Sequence, residues 1–363
     1  MLRAIGLMSG TSLDGVDAAW LETDGERVGR LGPSLTLHYD DALRAGLRRL
    51  LDRAPALAPD DPTLADAARR LTERHAEAVA ALGREADIVG FHGQTILHRP
   101  ADRRTWQIGD AALLAERTGL PVAHDFRAAD VAAGGEGAPF APVFHAALAA
   151  DLERPLAVLN IGGVANITFV GADGALLACD TGPGNGPIDD WAQRHLGAAC
   201  DRDGALARAG RAEAAVLARL LAHPYFARPA PKSLDRLEFS ASLAASGIAS
   251  LAPADGAATL VAFVAEAVAR TALPMAPRRW LVTGGGRRNP AIMAALRARL
   301  PAPVEPVEDV GWDGDALEAQ CFGLLAVRVR RGLPLSFPGT TGVLRPMPGG
   351  RIVEPRATVA RPA

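Results

Sequence analysis

Leu2-Arg3-Ala4-Ile5-Gly6-Leu7-Met8 runs into Ser9-Gly10-Thr11-Ser12-Leu13-Asp14-Gly15-Val16-Asp17, and Ala18-Ala19-Trp20-Leu21 follows. An apolar strand enters a turn of hydroxyl residues, glycines and aspartates, and a second apolar strand leaves it. Glycine lets backbone N–H groups approach an anion closely. Thr11 and Ser12 add hydroxyl donors. Asp14 and Asp17 repel phosphate, yet they can hold Mg²⁺, directly or through water, and the ion can hold phosphate. The stretch therefore predicts a nucleotide phosphate clamp of the strand–turn–strand kind, with Gly10, Thr11, Ser12, Leu13, Asp14, Gly15, Val16 and Asp17 around the phosphates. A Walker A loop is excluded, because it ends in Gly-Lys-Ser/Thr at a helix start. An ordinary Asp/Gly hairpin is the plainer alternative, but its turn needs only two residues.

The same pattern returns later. Leu156-Ala157-Val158-Leu159-Asn160 is followed by Ile161-Gly162-Gly163 and then by Val164-Ala165-Asn166-Ile167-Thr168-Phe169-Val170. A third strand over 175–179 leads to Asp180-Thr181-Gly182-Pro183-Gly184-Asn185. Trp280-Leu281-Val282 leads to Thr283-Gly284-Gly285-Gly286. Helical periodicity is expected over 41–53, 62–83, 110–118, 185–196, 212–222, 256–272 and 314–331. A short strand over 87–91 ends at His92-Gly93-Gln94-Thr95, and 224–237, with its three prolines, reads as a surface connection. Two halves that each open with strand, glycine turn and strand predict an α/β protein of duplicated architecture. The expected boundaries are 1–130 plus 340–363 for one domain and 131–339 for the other, with the Gly/Ala/Pro-rich stretch 131–142 as the crossing.

Bulk properties narrow the function. The chain has 363 residues and is 49% hydrophobic, enough for two cores. A net charge of −2 carries no basic footprint for nucleic acid. Cys179, Cys200 and Cys321 form no C-x-x-C pair, which fits a reducing compartment and argues against a zinc site or a disulfide scaffold. Neither a signal peptide nor an apolar run of membrane-spanning length is visible. A soluble cytoplasmic protein is expected, with no nucleic-acid or membrane partner.

Together, the segments 9–17, 160–166, 180–185 and 283–286 resemble the phosphate and adenosine motifs of the actin/hexokinase/Hsp70 ATPases. Further segments, in order, sharpen the likeness: Gly90-Phe91-His92-Gly93-Gln94-Thr95, Gln107-Ile108-Gly109-Asp110, Asp125-Phe126-Arg127, Ala133-Gly134-Gly135-Glu136-Gly137-Ala138-Pro139 and Glu318-Ala319. The whole series is similar to the 1,6-anhydro-N-acetylmuramic acid kinase family. Glu136 departs from that pattern, which carries Gln there, and Phe140 stands where it carries Leu.

The resemblance implies a two-domain actin/hexokinase-like (ribonuclease-H-like) fold with a nucleotide cleft between domains, ATP and Mg²⁺ as cofactors, and a homodimer. It implies that ATP phosphorylates O6 of an anhydro amino sugar while water, as co-substrate, opens the ring during peptidoglycan recycling. Asp180 is then the base acting on water, with Glu318 as a second acidic candidate; the plainer readings are helix capping for Asp180 or Thr181 and a dipole role for Glu318. Gly162, Gly163 and Asn166 form a second phosphate turn, and Thr283, Gly284, Gly285 and Gly286 receive the nucleoside. Asp14 and Asp17 are the metal candidates. His92, Gln94, Asp125, Arg127 and Asp180 are candidates for the sugar, Arg127 as partner of its carboxylate. Arg127 could instead pair with Asp125 or Asp130, and His92 could be a core polar group. The rival functions are a conventional sugar kinase and a nucleotide-gated interaction module.

Overall fold

The computed structural model describes residues 1–10, 12–58, 60–234 and 238–356. Thr11, one of the expected phosphate ligands, lies outside them. The chain divides into two units, one comprising Met1–Ala150 and the segment that starts at Ala316, the other Asp151–Asp315.

The first unit holds strands β1 (Leu2–Ser9), β2 (Gly15–Thr23), β3 (Val28–His38), β4 (Ile88–Arg99), β5 (Arg104–Ile108), β6 (Val122–His124) and β12 (Arg351–Val353). Its sheet runs β12-β6-β4-β1-β2-β3, with β5 paired to β4. The second unit holds β7 (Leu156–Ile161), β8 (Val164–Val170), β9 (Leu176–Pro183), β10 (Trp280–Thr283) and β11 (Val304–Pro306), in the order β11-β10-β7-β8-β9. In each sheet the first three strands pair antiparallel, and the first strand then pairs parallel with the fourth. Order and direction thus repeat as 3-2-1-4 plus one further parallel strand. The expected α/β duplication is present.

Strand alternation explains how the first sheet is covered. Side chains on a strand point alternately to opposite faces. Ile5 and Leu7 join a core with Leu43, Leu47, Leu71 and Leu114 from the helices Asp41–Arg53, Pro62–Leu82 and Ala111–Thr118. Gly6 faces the other way, where the helix Leu317–Arg330 packs on β1, β2 and β4. A methyl group at Gly6 would collide with the carbonyl oxygen of Ala319, and one at Gly90 with that of Phe322. This helix meets the sheet backbone to backbone.

That packing moves the expected boundaries. Residues 316–339 group with the first unit because their helix covers its sheet. Residues 131–150 do the same: the helix Ala141–Leu148 packs on Leu317–Arg330. Two strands also run further than expected. Strand β4 continues through His92 and Gln94 to Arg99, held by β5, and β9 continues through Asp180 to Pro183, held by β8.

Candidate active site

In the first unit the β1–β2 turn is fixed from inside. Leu13 has φ 57°, an unusual torsion for a leucine, and its side chain is wholly buried. Its N–H donates to Gly10 O at 3.2 Å, and Arg44 Nε donates to its carbonyl at 2.9 Å. Tyr39 ties both ends: its N–H donates to Asp14 O at 3.1 Å, and its hydroxyl lies 2.5 Å from Ser9 Oγ. Ser9 Oγ donates to Gln94 Oε1, also at 2.5 Å, so the tyrosine hydroxyl is the donor to Ser9. Gln94, expected in a sugar pocket, is therefore wholly buried beneath the turn. Tyr39 and Ser9 were not among the expected site residues; the sequence signal for Tyr39 is an aromatic residue directly after a strand.

Asp14 accepts from Ser12 Oγ at 2.7 Å, and Asp17 accepts from Thr36 Oγ1 at 2.6 Å. Among the described residues no cluster of three or more His, Cys, Asp or Glu is placed to hold a metal ion. Two carboxylates beside hydroxyls suit Mg²⁺, which keeps several waters and takes its remaining ligands from a phosphate. Gly10 has neither a positive φ nor a close protein neighbour, so the folded chain itself does not require glycine there. Gly15 differs, since a side chain would strike Leu37 O.

Arg127 and His92 meet. Arg127 Nε and Nη2 lie 3.1 and 3.0 Å from His92 Nε2, while His92 Nδ1 donates to Gly93 O at 2.8 Å. This pattern requires a neutral imidazole, and burial pushes its pKa well below the ordinary value, with the Arg127 charge adding to the effect. Arg127 also donates to Gly137 O at 2.7 Å, and its guanidinium lies over the Phe140 ring at 5.4 Å. It pairs with neither Asp125 nor Asp130: Asp125 is bound by Arg351 at 3.2 Å. Burial pulls the Arg127 pKa down to about 10, opposed by nearby charges that include Glu318 and Asp130. Glu318 stands in the first turn of Leu317–Arg330. Glu318 is exposed at the surface, yet desolvation by the surrounding protein, then Asp17, raises its pKa, and Arg127 lowers it. The exposed Glu136 side chain lies clear of this cluster's hydrogen bonds.

In the second unit the motif residues fall in one row. Thr283 pairs with Asn160, Asn160 with Asn166, and Asn166 with Asp180, across β10, β7, β8 and β9. The glycine turns cluster along this edge. Asn185 N–H donates to Gly162 O at 2.7 Å, Gly184 N–H donates to Gly163 O at 3.0 Å, and Asn185 Nδ2 donates to Ile161 O at 3.0 Å. Gly284 and Gly286 are glycine for the protein's own sake, since side chains there would strike Asn160 and Ile161. A methyl group at Gly163 would meet nothing within 4 Å. Gly163 also lines a cavity of about 460 Å³ with Pro187, Leu234 and Phe239.

Asp180 is half-buried on β9 and caps no helix. Leu234 N–H donates to its Oδ2 at 2.7 Å, its own N–H donates to Lys232 O at 2.9 Å, and Tyr225 Oη donates to its carbonyl at 2.7 Å. Burial raises its pKa to about 6, against the Leu234 bond. A carboxylate so placed is ionised at neutral pH and basic enough to accept a proton. The stretch 224–237, expected as a surface connection, thus supplies Asp180's partners. The aromatic pair Tyr225-Phe226 within that proline-rich stretch was the available signal.

Comparison with known proteins identifies the family. The family model described as anhydro-N-acetylmuramic acid kinase matches residues 2–355. The chain belongs to the anhydro-N-acetylmuramic acid kinase family. Proteins named anhydro-N-acetylmuramic acid kinase from Acidiphilium cryptum and Gluconobacter oxydans are 69% and 58% identical to it. The first alignment covers 98% of this chain and 99% of the relative, the second 97% and 100%. Among solved structures, the Acidaminococcus fermentans (R)-2-hydroxyglutaryl-CoA dehydratase component A is 10% identical over 90% of this chain and 98% of that one, with a TM-score of 0.45. This chain is accordingly a kinase, a transferase acting on a small sugar. No helix among the described residues is long and apolar enough to cross a membrane.

Proposed function

We propose that the kinase phosphorylates O6 of 1,6-anhydro-N-acetylmuramic acid with ATP while water opens the 1,6-anhydro bridge, giving N-acetylmuramic acid 6-phosphate. The observation that carries this reading is Asp180, a half-buried carboxylate oriented by a backbone amide and poised near pH 6. Asp180 takes a proton from water as the water oxygen bonds to C1. The C1–O6 bond breaks, O6 bonds to the γ-phosphorus, and the bond from that phosphorus to the β–γ bridging oxygen breaks to release ADP. A carboxylate base suffices because the anomeric carbon becomes electrophilic as the bridge opens.

The amides of the β1–β2 turn and of Gly162–Gly163 serve the ATP phosphates, and the edge at Thr283, Gly284, Gly285 and Gly286 serves the nucleoside. Asp14 and Asp17 would hold Mg²⁺ through water; the ion neutralises phosphate charge when bound. Arg127 receives the lactyl carboxylate, and Glu318 faces the sugar as a second acid. The same reading carries a role in peptidoglycan recycling and a homodimeric state. It also carries a cytoplasmic location, with which three free cysteines agree.

The test is turnover of Mg-ATP and the anhydro sugar in ¹⁸O-water, with Asp180→Asn alongside. A 6-phosphate carrying ¹⁸O at C1, lost in the variant, supports the reading. Intact anhydro sugar, with phosphate transferred to a free amino sugar instead, replaces it with a conventional kinase. Failure to turn over any sugar replaces it with a nucleotide-gated interaction module.

A further inference from the structure

We infer that Asp130 is a positioning residue that sets Arg127 through the backbone of Gly137; the inference rests on Arg127 as the receptor of the substrate carboxylate. Arg127 precedes the helix Ala128–Ala132, and Asp130 lies three positions on, one helical turn away. Opposite charges at that spacing ordinarily pair. Here they share one residue, Gly137, instead. Asp130 Oδ1 accepts Gly137 N–H at 2.5 Å, and Gly137 O accepts Arg127 Nη1–H at 2.7 Å.

Gly137 cannot drift. Asp130 Oδ2 accepts the Thr341 hydroxyl at 2.6 Å, and Thr341 O accepts Glu136 N–H at 2.7 Å. Asp130 is 1% exposed, and a side chain at Gly135 would strike its carboxylate. Gly137 has φ 67°, and a side chain there would strike Val131. One buried carboxylate thus fixes both the loop and the segment Pro338–Thr341.

The arrangement has an electrostatic consequence. A contact pair with Asp130 would neutralise the guanidinium. Bonding to the neutral acceptors Gly137 O and His92 Nε2 leaves its charge for an anion. A guanidinium has five N–H donors. Three point at His92 and Gly137, which leaves a pair for a carboxylate.

The experiment is steady-state kinetics on wild type, Asp130→Asn, Arg127→Ala and the double variant. The two sugars compared are 1,6-anhydro-N-acetylmuramic acid and 1,6-anhydro-N-acetylglucosamine, which lacks the lactyl carboxylate. Asp130→Asn should raise KM for the carboxylated sugar about tenfold, the loss expected on weakening a hydrogen bond to a charged group. It should leave KM for ATP and for the carboxylate-free sugar unchanged, and it should add nothing on the Arg127→Ala background. Thr341→Val removes one bond to the same carboxylate and should shift the same KM in the same direction. It carries the test if Asp130→Asn melts before assay. Equal loss with both sugars, or full additivity with Arg127→Ala, overturns the inference. An unchanged KM in Arg127→Ala itself overturns the carboxylate reading beneath it.

Discussion

The two sheets repeat one strand order but place their acids differently. In the first unit Asp17 lies on the second strand, opposite Met8 and Thr36, and a threonine hydroxyl satisfies it. In the second unit the acid, Asp180, has moved one strand outward to β9, opposite Asn166. There burial and a backbone amide replace the hydroxyl. The coverings differ as well. The helix Leu317–Arg330 touches the first sheet through glycine, whereas the second unit's core is filled by large side chains such as Trp191, Phe239 and Phe263. One topology therefore sets its acids in different surroundings, because strand order fixes only where an edge lies and the local packing supplies each acid's partners.

The sharpest way to break this comparison is Asp180→Asn. Product formation should fall by about 10²-fold or more, the range for loss of a general base. An equal loss from Asp17→Asn and none from Asp180→Asn, measured by ADP release, would reverse the assignment.

The coverings are separated by glycine variants. Gly6→Ala should lower stability by about 1–3 kcal/mol or more, because the helix backbone has nowhere to move. Gly163→Ala should change it by no more than about 0.5 kcal/mol, yet raise KM for ATP. Thermal melts and ATP titrations read both; a melting temperature unchanged by Gly6→Ala would refute the backbone contact.

Asp180 should also show itself in pH. As a base it works only when ionised, so kcat/KM should climb through about pH 6 on its acid limb. The stability sign is opposite. Its folded pKa is raised above the ordinary 3.8, so the native state loses stability as pH rises between about 4 and 6. Asp180→Asn removes that penalty and should stabilise the protein at pH 7 by on the order of 1 kcal/mol, allowing for partial exposure. A variant no more stable than wild type would count against burial as the cause of the shift.

Tyr39→Phe removes the donor to Ser9 and should weaken ATP binding by about 1 kcal/mol, measured by calorimetry. The smallest effect belongs to Glu136→Gln: with the side chain exposed, sugar KM and stability should shift by less than about 0.5 kcal/mol. A larger change in KM would bring Glu136 into the sugar site.

Most elements were legible in the sequence because hydrophobic period and punctuation are local. Asp61, Pro62 and Gly83 bracket the helix Pro62–Leu82 as cap, first residue and left-handed stop. Gly162, Gly163 and the run 283–286 announced glycine edges. The extents of β4 and β9 were less legible, because Gln94 and Asp180 are held in strands by partners that only pairing supplies.

What the sequence determined by itself was the repeated strand–turn–strand unit and the acids, hydroxyls and glycines offered along its edges. Spacing along the chain encodes those directly. Tertiary structure decided which glycines serve packing, why Arg127 bonds a neutral histidine rather than Asp125, and why Asp180 titrates near 6. These depend on desolvation and on partners 35 and 54 positions away. No local pattern contains such partners, and folding alone brings them within hydrogen-bond reach.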